Sequence, residues 1–97
     1  MSPIETLQKL ETYEILGDTG DSILSNFDHV INQDIVEKLK KGKYISFHYA
    51  WDFCATVFYE DGKYKSLIMK YQLPIEVIEH EDFIEVARLT CEKYGSA

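Results

Sequence analysis

His48, Asp52 and Cys54 are the residues of this chain whose types suggest nucleophilic chemistry, and they fall at even positions of one stretch. A cysteine nucleophile needs a histidine within hydrogen-bond reach to form its thiolate. On one extended strand, residues 48 and 54 stand about 20 Å apart at roughly 3.3 Å per residue, so they meet only if the chain folds back between them. A cross-strand pair between Asp52 and Lys70 gives that carboxylate a simpler role. Geometry must come before residue type, and the chain is expected not to be an enzyme.

Metal and cofactor chemistry is equally weakly supported. His29, His48 and His80 are scattered, as are Cys54 and Cys91, with no CxxC, HxxxH or HExxH spacing. His80-Glu81-Asp82 is rich in oxygen ligands, but helix N-termini attract acids for dipole reasons alone. Asp18-Thr19-Gly20-Asp21 misses the spacing and final Glu of a calcium loop. There is no Gly-rich phosphate loop, and no metal or cofactor is implied.

Charge says more. The net charge of -7 is unevenly spread: residues 1–34 carry -6, residues 35–73 carry +3 and residues 74–97 carry -4. Long-range repulsion makes nucleic acid and anionic membrane poor partners. Lys38, Lys40, Lys41 and Lys43 form a basic run that reads as offsetting a helix dipole at its C-terminus, the weaker alternative being a phosphate or nucleic-acid contact beside Tyr44. Glu76, Glu79, Glu81, Asp82 and Glu85 form an acidic cluster that reads either as a solvated face or as a docking surface for a basic partner. With Glu5, Glu11 and Glu14, the cluster could imitate a phosphate backbone if the terminal helices lie side by side.

Large side chains supply the other contact candidates. Tyr44, Phe58 and Tyr64 fall on the mixed face of a sheet, either exposed as interface anchors or packed beneath a helix. Leu89 falls outside the core stripe of its helix and joins the partner-contact set. An alternative is a small-molecule or nucleotide pocket around His48, Trp51 and Tyr71 at a homodimer interface.

The elements that must position these residues follow from local patterns. Ser2-Pro3-Ile4-Glu5 combines an N-cap, a first-turn proline and a capping-box glutamate. The helix it starts should reach about Leu16, with Gly17 ending it. Its apolar residues Ile4, Leu7, Leu10, Tyr13 and Leu16 step by three and wind around the axis. Ile23, Leu24, Phe27, Val30 and Ile31 predict a second helix. After a break at 32–34, Ile35 and Leu39 predict a short third one, with Gly42 at its C′ position.

From Tyr44 to Tyr59 the period changes to two. A straight strand of that length would exceed ~50 Å, too long for a domain whose radius of gyration should be near ~13 Å. A bend or bulge near Ala50-Trp51-Asp52 is the favoured resolution, since no Gly, Pro or Asn marks a turn. Glu60-Asp61-Gly62 marks a hairpin. Side-chain matching favours a three-residue loop with Tyr59 opposite Lys63 and a bulge at Gly62. A short strand at Ile75–Glu79 follows. A capping box at Asp82 and Glu85 then opens the last helix, whose core face is Phe83, Val86, Ala87, Thr90, Cys91 and Tyr94.

Ninety-seven residues at 45% hydrophobic give one α+β domain, with two or three N-terminal helices, an antiparallel meander and a C-terminal helix on the sheet. No apolar run is long enough for a membrane span. The N-terminus lacks the pattern of a secretory signal, so a cytoplasmic protein with two reduced thiols is expected. The functional expectation is a small acidic interaction domain that binds a protein partner as a regulator or inhibitor. Inhibitors encoded by phages and mobile elements share this composition. Homodimerisation fits the same features.

Overall fold

Ser2 caps the first helix as its sequence dictates: its hydroxyl accepts from the Glu5 amide at 3.2 Å, and Pro3 sits in the first turn. This is seen in a computed structural model that describes residues 2–19, 33–50 and 53–94, with side chains outside the description at 15–19, 33–35 and 47–50. The elements are α1 (Pro3–Leu10), β1 (Glu14–Thr19), α2 (Gln33–Leu39), β2 (Lys43–Ala50), β3 (Phe53–Glu60), β4 (Lys63–Lys70), β5 (Leu73–His80) and α3 (Phe83–Tyr94). The strands form one sheet in chain order. β1 runs parallel to β2, and β2 to β5 form an antiparallel meander. The fold is α+β, with α3 packed on the sheet.

α1 is shorter than expected. It ends at Leu10, where the amides of Glu11, Thr12 and Tyr13 bond back three residues and the Thr12 hydroxyl takes the Lys9 carbonyl at 2.8 Å. These tighter bonds unwind the helix, and a threonine that competes for the backbone favours its end. The three-step apolar spacing offered no single stripe to hold another turn. Residues 14–19 gain more by pairing with β2, so tertiary pairing overrides the local helix pattern. The helix predicted over 23–31 lies outside the described residues. α2 ends as predicted, with Gly42 at φ +85° donating to the Leu39 carbonyl.

The long aromatic stretch turns back instead of bending. β2 and β3 pair antiparallel, with Ile45 opposite Val57 and Ala50 opposite Phe53. The expected bulge is present only as a register shift between His48 and Ala50. The molecule measures 31 × 28 × 21 Å, so folding the stretch in two lets each half satisfy its backbone against the other.

The hairpin at 60–62 also closes differently in detail. Tyr59 faces Tyr64 and Glu60 faces Lys63 across a two-residue loop, with Asp61 at φ +54° and Gly62 at φ +78°. Two left-handed residues match the twist of the flanking strands better than a bulged loop. Phe53 therefore faces Lys70, not Met69, and Lys70 lies over the Phe53 ring at 5.2 Å. Counting apolar matches alone missed that a lysine can satisfy a ring through its charge.

Both faces of the sheet are covered. On the α3 face, Ile45, Ala55, Val57, Tyr64 and Ile68 pack with Leu39 of α2 and Phe83, Val86 and Ala87 of α3. On the α1 face, Phe58 and Leu67 pack with Leu10, and Leu7, Tyr13, Tyr44, Met69 and Val77 close around them. No described helix is long and apolar enough to cross a membrane.

Candidate interaction surface

β5 ends the sheet, with β4 on one side and no strand paired on the other among the described residues. It begins after a two-residue turn, Tyr71-Gln72, both left-handed, and gains an extra residue near Pro74 that shifts its register with β4. α3 follows at once. The Asp82 carboxylate accepts from the Ile84 amide at 3.0 Å, and the Asp82 amide donates to His80 Nδ1 at 2.9 Å, so the acidic connection is also the helix cap. Phe83, Val86, Ala87 and Thr90 are buried, and Cys91 and Tyr94 pack at the core margin, as the periodicity predicts.

That helix stripe turns Leu89 toward the open edge of the sheet. A groove of about 530 Å³ runs there, lined by Glu76, Val77, Ile78, Leu89, Glu92 and Lys93. Glu76 holds its wall: Tyr94 donates its hydroxyl to Glu76 Oε1 at 3.0 Å, and Lys93 forms an ion pair with Glu76 Oε2. Burial, then the bond and charge of Glu76, push the Tyr94 hydroxyl pKa up to about 12. A second cleft of about 410 Å³ lies on the α1 side of β5, lined by Thr6, Asp61, Lys65, Val77 and Glu79.

The predicted acidic cluster is gathered at this end of the molecule, but its members differ. Glu79 stands 3.7 Å from both Lys63 and Lys65. Glu85 pairs with Arg88 at 2.9 Å, and the hydrogen bond from that guanidinium holds its carboxyl below the usual range. Arg88 also reaches Glu92 at 2.8 Å. Glu81 and Asp82 stay exposed. α1 and α3 lie on opposite faces, so Glu5, Glu11 and Glu14 do not extend this cluster into one surface. Val77, Ile78, Glu92 and Lys93 were missed as groove residues. The available signal was the three-residue step from Leu89 to Glu92, which sets both on one flank.

The aromatic candidates resolve toward packing. Phe58 is fully buried with Tyr13 edge-on to it at 5.7 Å. Tyr64 is 4% exposed between Tyr59 and Phe83, at 4.8 and 5.6 Å. The two-residue loop places Tyr64 on the α3 face, and burial raises its hydroxyl pKa. Tyr44 is half-buried against the α1-face cluster. Phe58 and Tyr64 pack beneath helices, while Tyr44 keeps part of its surface open.

Of the three residues of the alternative pocket, only Tyr71 has a described side chain. Tyr71 is exposed at the β4–β5 turn, at the same end of the sheet as the β2–β3 connection, while Trp51 and Asp52 lie outside the described residues. His48 and Cys54 are direct Cα partners across β2 and β3, which removes the separation a straight strand would impose. Cys54 and Cys91 share no disulfide. Among the described residues, no three His, Cys, Asp or Glu side chains gather to hold a metal ion.

One cluster had no counterpart in the sequence reading. Glu60 is buried on the α1 face, with Lys65 at 2.9 Å and Lys9 of α1 at 2.5 Å. Burial pulls its carboxyl upward, but hydrogen bonds from Lys9 and Lys65 together with their charges outweigh that and leave it below the usual range. The arrangement fastens α1 to the hairpin, and Lys65 also lines the cleft on the α1 side of β5. Compared with known proteins, the chain matches no family model, no curated protein and no solved structure.

Proposed function

We propose that this chain is a non-enzymatic interaction domain that binds a protein partner through a basic surface on that partner, acting as a regulator or inhibitor. The observation that carries this reading is the combination at β5 and α3: a sheet edge with no paired strand among the described residues, the Leu89 groove beside it and the exposed acids Glu81 and Asp82 in the connection between the two elements. Acidic rims speed encounter with basic partners and fix their orientation, while a groove with an apolar floor supplies buried area. The same reading keeps the protein in the cytoplasm, where Cys54 and Cys91 remain thiols.

Affinity capture from the native host followed by mass spectrometry names the partner. Binding of that partner is then compared for the unmodified chain and a Glu81→Lys, Asp82→Asn, Glu85→Gln variant. Asparagine retains the helix cap. The variant should bind at least about tenfold more weakly, and the loss should shrink as salt rises. Equal affinity at low salt overturns the reading.

A further inference from the structure

We infer that β5 is completed by an added strand, an extended segment from a partner that alternates apolar and basic residues. The inference rests on the interaction reading above and specifies how the partner is held. β5 has one neighbour, β4, and its other edge carries unpaired backbone groups among the described residues. Pro74 and the extra residue Ile75 blunt the beginning of that edge. From Glu76 to His80 the register with β4 is regular, and no proline interrupts it.

The two clefts flank this same segment and share Val77. A pleated strand sends alternate side chains to opposite faces. A strand laid along β5 therefore points one set of side chains toward Leu89 in the α3 groove and the other toward Asp61 and Glu79 on the α1 side. The first cleft offers Val77, Ile78 and Leu89 to apolar side chains, and the second offers Asp61 and Glu79 to lysine or arginine, its own Lys65 being held by Glu60 at 2.9 Å. In strand addition, main-chain bonds give affinity and such alternating pockets give specificity.

Charge selects a foreign segment over a second copy of this chain. Pairing with a second copy would bring together two edges that each carry Glu76, Glu79 and Glu81, and edges of like charge repel one another. A basic strand instead brings further positive charge to acids that, among the described residues, otherwise meet only Lys93, Lys63 and Lys65.

The test uses the intact chain and a synthetic peptide alternating lysine with valine. Controls are the same peptide N-methylated at every amide and a peptide alternating glutamate with valine. Backbone hydrogen exchange reads occupancy. The lysine peptide should bind and slow exchange of the β5 amides from Glu76 to His80 at least about tenfold, while both controls lose that effect. Leu89→Ala should weaken binding with helix content unchanged. No binding by the lysine peptide overturns the inference. So does equal binding by the N-methylated peptide, which shows side-chain docking and leaves the broader interaction reading standing. Protection of the β5 amides that grows with protein concentration alone assigns the edge to a second copy and also overturns it. Loss of the broader reading is separately visible as charge-insensitive binding of the captured partner.

Discussion

The two faces of this sheet bury their central residues by different means. The α3 face is closed by two helices and filled almost wholly with aliphatic and aromatic side chains. The α1 face is closed by a helix of eight residues, and its packing gives way beyond Phe58 to the buried Glu60 and Lys65, joined by the half-exposed Lys9. A short helix brings little apolar area, so its position must be set by something more directional. A buried carboxylate held by two ammonium groups does that, at the desolvation cost every buried ion pair carries. The contrast teaches that residue count on a face does not measure how firmly it is held.

Truncation at each centre is the strongest way to break this comparison. Phe58→Ala on the α1 face and Leu39→Ala on the α3 face should each cost about 3–5 kcal/mol in denaturant unfolding, since both are fully buried. A Phe58→Ala cost below about 1 kcal/mol would show that α1 leaves this face open in solution.

Removing the carboxylate tests the directional part. Glu60→Ala leaves the nearly buried Lys65 ammonium without its main partner and should cost about 3 kcal/mol. Lys9→Ala should cost far less, because Lys9 is half exposed. The Glu60 carboxyl titrates below its unfolded range, so its contribution is present above about pH 4.3 and fades as pH falls through its folded value. Urea midpoints measured from neutral to acid pH should fall in that window, and Glu60→Gln should flatten the fall. An unchanged slope would remove Glu60 from the acid response.

The hairpin loop gives the smallest and most local effect. Gly62→Ala forces a Cβ into a left-handed position and should cost about 1–2 kcal/mol, although no neighbouring atom crowds that site. Its cross-strand amide contacts should keep Tyr59 opposite Tyr64. If they shift to Tyr59 opposite Lys63, glycine itself sets the register and decides which face receives Tyr64.

Local signals proved legible wherever the cause was local. Ser2, Gly42 and Asp82 cap their helices because caps depend on a few neighbouring atoms. The stripe from Phe83 to Tyr94 predicts the buried side of α3 for the same reason. At the candidate surface, the acids from Glu76 to Glu85 and the displaced Leu89 could be named in advance, because charge and helical offset are written in order. The groove that joins Leu89 to Glu76 could not. It depends on how far α3 stands from the edge of β5.

By itself, the sequence determined the α+β class, the period-two aromatic stretch, the hairpin site and the helix caps. Each rests on interactions spanning a few residues. The tertiary structure alone decided that residues 14–19 are a strand, that the aromatic stretch doubles back on itself and that Tyr64 turns to the α3 face. It also brought Glu60 to Lys9. These outcomes compare the gain from pairing distant backbone groups and burying distant surfaces, and no local pattern carries that sum.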